Sequence, residues 1–176
     1  MKILLCMTLL SVSAFAQSAP SLKAGSMGTY TMAKNNVLKA AAKMPEENFA
    51  FKPSDDVRSF GQIVGHLADA QYLFCSAVKG EKAPKGDVEK TATTKAALNT
   101  ELKAAFDYCD AVYASATDDS LMKPIKFFGR DSTGIATLDF NTAHTFEHYG
   151  NIVTYMRIKG IVPPSSEPRP APKKAN

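Results

Sequence analysis

Several familiar signatures are missing from this sequence. It has no Gly-rich phosphate loop and no Rossmann fingerprint, so nothing local points to nucleotide binding. It has no basic run with interleaved aromatics. The formal charge of +4 is small and dispersed, which argues against a nucleic-acid partner. No run alternates convincingly as a strand, and no segment repeats. Tryptophan is absent, and histidine occurs only three times in 176 residues. Hydrophobic residues at 45% and charged residues at 22% match ordinary globular usage, which argues against wholesale disorder. The length is enough for one domain with its own core.

The N-terminal residues read as a secretory signal peptide. One positive charge at Lys2 precedes an apolar run from Ile3 to Leu10. Ala14-Phe15-Ala16 fits a small-x-small cleavage site, which places the cut before Gln17. The run is too short for a permanent membrane anchor. The expected divisions are a signal peptide over 1–16, a helical domain over 17–164 and a Pro-rich tail over 165–176, extended or disordered. Loss of Lys2 takes the formal charge from +4 to +3. A periplasmic or secreted location follows, with no membrane association after cleavage.

Within 17–164 four segments carry helical periodicity, so the spacing predicts an all-α four-helix bundle. The first runs from about Ser26 to Met44, with Met27, Tyr30, Val37, Leu38 and Ala41 on one face, and Pro45 ends it. The second runs from about Val57 to Val78. Ser59 and Gln62 there have the form of a capping box, and Gly80 closes the helix. The third runs from about Thr94 to Ala114 with a stripe of Leu98, Leu102, Ala105, Phe106 and Val112. The fourth runs from about Thr137 to Lys159, with Gly160 as its stop. TDDSLMKPIKFFGRDST between the last two reads as irregular.

All three histidines fall inside these helices. His144 and His148 are four residues apart, so both rings project from one face and can meet at one ion. His66, on the second helix, is the candidate third ligand. Three neutral imidazoles with an open fourth position make a catalytic type of zinc site. Imidazole also suits nickel and iron, so the divalent metal is read as zinc first with those two as alternatives. The ligating nitrogens should then lie about 3–3.5 Å apart. The pair is not the zincin motif, because Thr145 stands where that motif needs a glutamate. Asp69, three residues after His66, and Asn151, three after His148, are candidates to orient an imidazole or a water. Asn141 reads as a helix-surface residue, as does Glu147, and no catalytic residue is assigned. Tyr72, Tyr149 and Tyr155 read as packing.

PEENFAFKP, SFGQIVGHLADAQYLFC and HTFEHYGNIVTYMRIKGIVPPSSEPRP together resemble the DinB-like superfamily of bacterial four-helix proteins. The resemblance covers nearly all of the chain after the signal peptide. It implies an up-down-down-up bundle with a divalent metal at one end, and it carries the family's three metal-binding histidines onto His66, His144 and His148. Relatives include thiol-dependent transferases, isomerases and metal-dependent hydrolases. Thiol cofactors are cytosolic, which sets a thiol transferase against the exported location. The expected function is therefore a metal-dependent hydrolase of an unidentified small-molecule substrate. The alternative is a non-catalytic metal- or ligand-binding module. A homodimer is a further expectation, since apolar bundle faces often pair.

Cys6 leaves with the signal peptide, and Cys75 and Cys109 remain. Two cysteines in an exported protein suggest a pair, the alternative being two buried free thiols. If helices two and three were antiparallel neighbours, the residues would sit at heights of roughly 6 Å and 22 Å from their shared end, too far apart to bridge. If the helices run parallel, both lie about 15 residues from their helix starts and reach one height.

Overall fold

A computed structural model describes residues 21–168. The proposed signal peptide and the tail beyond residue 168 lie outside the described residues. The four predicted helices are present as α1 (Leu22–Lys43), α2 (Phe60–Lys79), α4 (Lys95–Ser115) and α6 (Gly134–Ile158), and two four-residue helices, α3 (Val88–Thr91) and α5 (Asp118–Leu121), lie between them. The stretch predicted to be irregular is not so throughout. It contains α5 and an antiparallel hairpin of β1 (Pro124–Phe127) and β2 (Arg130–Thr133). Among the described residues the bundle is therefore mostly helical with one small sheet.

Helix ends are fixed by side chains that satisfy the free backbone groups. Ser59 and Gln62 form the anticipated capping box on α2, and Gly80 closes that helix at φ 76°. Thr94 caps α4 and Thr133 caps α6. The helix of Leu22–Lys43 starts earlier than expected: Ser21 caps it by accepting from the Ala24 N–H, and Asp118 accepts from the backbone N–H groups of Leu22 and Lys23, at 3.0 and 2.9 Å. Acidic oxygens at a helix N-terminus also complement its dipole.

Contacts along the helices set their directions. Leu98, near the start of α4, packs against Gly61 and Gly65 near the start of α2, while Cys75 and Cys109 meet near the other end. α2 and α4 are thus parallel. Ser26 reaches Asp139 near the starts of α1 and α6, which are also parallel. Tyr30 reaches Asp110, and Gln71 reaches Asn141, so α1 runs against α4 and α2 against α6. This is the up-down-down-up order. The core between the helices holds Tyr30, Leu67, Leu102, Phe106, Leu138 and Ile152, all essentially inaccessible to solvent. Phe49 of the connector after α1 packs edge-on against Phe60, at 5.1 Å between centroids. Residues after α6 are tied down as well: Tyr149 bonds Ser165, and Lys43 pairs with Glu167 at 2.6 Å.

One glycine decides how the site is framed. A Cβ on Gly65 would lie 2.6 Å from the Glu89 Cα and 3.0 Å from its nitrogen. The bare backbone at 65 is what lets α3 lie against α2. Gly65→Ala should cost about 1–3 kcal/mol, since the obstacle is backbone rather than a flexible side chain. Thermal melting of that variant checks it, and an unchanged midpoint would show that α3 moves away freely.

Candidate metal centre

The three histidines meet. His66 comes from the second turn of α2, and His144 and His148 from successive turns of α6. The Nε2 atoms of His66 and His144 lie 3.2 Å apart, and those of His148 and His144 lie 3.1 Å apart. All three rings offer a nitrogen within 4.8 Å of the others. The i, i+4 spacing supplies two of these by helix geometry alone. The third depends on the antiparallel packing of α2 against α6.

That packing is held by a buried polar layer beside the histidines. Gln71 and Asn141 exchange amide hydrogen bonds of 3.1 and 2.8 Å, and Gln71 donates to Thr145 at 3.0 Å. Asn141 is fully buried, so the expectation that it faces solvent is corrected. A buried amide pair stabilises when each partner satisfies the other, and it fixes the register of α2 on α6.

Burial lowers the pKa of all three imidazoles below the ordinary histidine value. For His66 the Arg58 guanidinium adds to the effect, for His144 the neighbouring His148, and for His148 the nearby His66. All three are therefore neutral near pH 7, the form that can donate a lone pair. Unfolded histidine titrates near about 6.5. The folded values lie lower, so the unfolded chain binds more protons as the pH falls beneath that value. Metal-free protein should hold its histidine-linked stability above about pH 6.5 and lose it on acidification towards the lowered folded values. Melts of chelated protein at pH 8, 6.5 and 5 check this. The loss should shrink when all three histidines are replaced by glutamine.

Around the rings the structure departs from expectation. Asp69 does not reach an imidazole. Its carboxylate accepts from the backbone N–H groups of Val88 and Glu89, at 2.8 and 3.0 Å, and so caps α3. The residue that α3 delivers is Glu89, whose Oε2 lies 3.5 Å from His66 Nδ1 and whose Oε1 accepts from Arg58 Nε at 2.9 Å. Asn151 stands 3.5 Å from His148 Nδ1. His144 Nδ1 is buried without a hydrogen-bond partner among the described residues, and its ring packs against Phe74. The tyrosine hydroxyls go elsewhere: Tyr155 donates to the Arg58 carbonyl, Tyr149 to Ser165. Glu147 is exposed, as its helical phase indicates.

The donor set fits a divalent cation. Neutral imidazole nitrogens converge from three sides with separations close to the about 3.3 Å expected for two nitrogens bound at 2.0–2.1 Å in tetrahedral geometry. Two clefts flank the cluster. One of about 810 Å³ is polar and is lined by Arg58, Glu89, His148 and Asn151 among others. The other, about 440 Å³, is lined by His66, His144 and mostly apolar side chains. Access from two sides distinguishes this arrangement from a closed four-ligand structural site.

A family model described as the DinB superfamily matches residues 29–152. The chain is 28% identical over 131 residues to the uncharacterized protein YjoA of Bacillus subtilis (strain 168), covering 72% of this chain and 84% of YjoA. A crystal structure of a DinB-like protein from Bacillus cereus ATCC 10987 superposes with a TM-score of 0.71 at 18% identity, covering 80% of this chain and 94% of that one. YfiT from Bacillus subtilis, described as a probable metal-dependent hydrolase with an unusual four-helix bundle topology, superposes with a TM-score of 0.61 at 16% identity. That match covers 88% of this chain and 94% of YfiT.

Proposed function

This chain belongs to the DinB superfamily, and from that membership we propose that it is an exported metal-dependent hydrolase in which His66, His144 and His148 hold a divalent cation, zinc before nickel or iron. The observation that carries the reading is the convergence of the three Nε2 atoms on a face open to two clefts. The hydrolase reading draws support from the description of YfiT. Export draws support from the charged start, apolar run and Ala14-Phe15-Ala16 of residues 1–16. The Cys75–Cys109 disulfide agrees with an oxidising compartment.

A divalent cation at such a site supplies Lewis acidity to an oxygen of the substrate and to water. The chain's own groups do the rest. His66, His144 and His148 present neutral nitrogens without a change of protonation near pH 7. Glu89, braced by Arg58, fixes the orientation of the His66 ring from its Nδ1 side. The polar cleft carries charges of both signs, Lys52 and Arg58 beside Asp55, Asp56 and Glu89, which suits the hydrogen-bonding end of a substrate. The net reaction adds water across an acyl bond. The acyl carbon gains a hydroxyl, and the departing oxygen or nitrogen gains a proton.

Metal analysis of the purified mature protein, followed by assay of the loaded protein on esters, amides and lactones, tests the reading. Turnover that stops with chelator and returns with metal is expected. A fully loaded protein with no turnover on any of the three classes would make it a metal-binding module instead.

A further inference from the structure

The apolar cleft carries a feature that the fold alone does not explain. The loop joining the strands of the hairpin is Phe128-Gly129, with φ values of 50° and 73°. Two-residue hairpin loops of this kind favour Asn-Gly or Gly-Gly, because both central residues must take positive φ. A bulky aromatic residue there is a conformational outlier. Phe128 is also 67% exposed, so burial of its ring in the core does not offset the strain. Its ring lies against that of Phe127 at 4.1 Å between centroids, tilted by 44°, and approaches Phe74 at 6.2 Å, and with Phe74 it borders the cleft that holds His66 and His144. Strain at an exposed position is a pointer to function rather than to folding.

The rest of the cleft has one chemistry. Phe140 and Leu73 border it and are 54% and 42% exposed. Exposed large apolar side chains gathered at one opening mark a binding surface. The charges at the rim are already engaged. Lys85 pairs with Glu101 at 2.6 Å, and Asp69 is held by the α3 backbone. The volume of about 440 Å³ falls within the about 300–1,000 Å³ of small-molecule sites.

We propose that the cavity bordered by Leu73, Phe74, Phe128 and Phe140 is the acyl pocket of this protein. It takes the uncharged hydrocarbon group, alkyl or aryl, of an ester, amide or lactone, with the carbonyl carried at the histidine end and the polar remainder in the cleft of Arg58. The assignment of a substrate rests on the hydrolytic reading above, whereas the binding of the hydrocarbon group does not. Phe128 is the specificity-determining residue, held over the pocket by the hairpin.

The test uses metal-free protein titrated with 1-butanol, 1-hexanol and 1-octanol. Methyl NMR of Leu73, Ala70 and Ala83 reports binding in a chain that has no tryptophan for fluorescence. Dissociation constants should tighten about fourfold per added methylene until the pocket is filled. Phe128→Gly should weaken 1-octanol binding at least tenfold with a melting temperature near that of the parent, since glycine suits the positive φ. Phe140→Ser should act in the same direction. Affinity independent of chain length, shifts confined to other methyl groups, or parental binding by Phe128→Gly would each overturn the pocket. The metal-loaded protein separates the two readings. Activity on p-nitrophenyl acetate and hexanoate that is equal, and equal in Phe128→Gly, keeps the hydrolase and removes the pocket. Chain-length-dependent binding without turnover keeps the pocket and removes the hydrolase.

Discussion

His144→Ala should abolish stoichiometric binding of divalent metal. His144 is the middle ligand: its Nε2 lies 3.2 Å from that of His66 and 3.1 Å from that of His148. Removing it leaves two imidazoles on different helices and no three-nitrogen set. Inductively coupled plasma analysis after zinc loading and desalting should fall from about one ion per chain to background. Glu89→Ala should behave differently. It leaves all three nitrogens in place and removes only the carboxylate at His66 Nδ1, so one ion should still bind, about 10–100-fold more weakly. Stability separates the cases again. A ligand that binds only the folded state adds about 2.7 kcal/mol at a hundredfold excess over Kd. For a chain of this length that corresponds to a rise in Tm of roughly 5–10 °C. The parent should show this rise with zinc, Glu89→Ala part of it, and His144→Ala none. A parent whose melting curve ignores both zinc and chelator would remove the metal site from this protein.

The sequence made the ligands legible but not what surrounds them. Histidines at 66, 144 and 148 stand out because helical periodicity assigns each a face and because the chain has no others. Glu89 was not visible. It lies in a polar connector, on a helix of four residues, and reaches His66 only because Gly65 lacks a Cβ and Asp69 caps that helix. Neither cause is local to Glu89. Asn141 departs from its expected place on the helix surface for a related reason. A polar residue in an amphipathic pattern defaults to the solvent face, and its burial depends on Gln71, 70 residues away, meeting it in a reciprocal amide pair. The hairpin escaped because strands of four residues give too little alternation to detect, and because Phe128-Gly129 is an unusual turn dipeptide. The start of α1 lies a few residues earlier than expected, where the local cap Ser21 is joined by the distant Asp118. Up-down-down-up order, in contrast, left a trace in the cysteine heights.

Removing the disulfide should lower stability by about 3–4 kcal/mol. Cys75 and Cys109 are 34 positions apart, with Cα atoms 5.4 Å from each other, and each sits about fifteen residues into its helix. That equality of height is possible only if α2 and α4 run parallel, so the bond and the topology support one another. A closed loop of about 35 residues removes chain entropy from the unfolded state by an amount between those of 15- and 100-residue loops, about 3 and 4.7 kcal/mol. The bridge lies in the core, beside the Gln71–Asn141 pair, with Asn141 Nδ2 at 3.8–3.9 Å from both sulfurs. Its loss should therefore reach the register of α2 on α6, and through it the approach of His66 to His144. Denatured, unreduced mature protein should show no reactive thiol, and Cys75→Ala/Cys109→Ala should unfold at a lower urea midpoint with nearly the same slope. The double variant isolates the cross-link from the packing, because alanine is small and apolar at both positions and leaves no lone thiol. Two reactive thiols per chain in the parent would show the cysteines to be unpaired. A double variant as stable as the parent would place the cohesion of α2 and α4 in the apolar stripe of Leu98, Leu102, Ala105 and Phe106 alone.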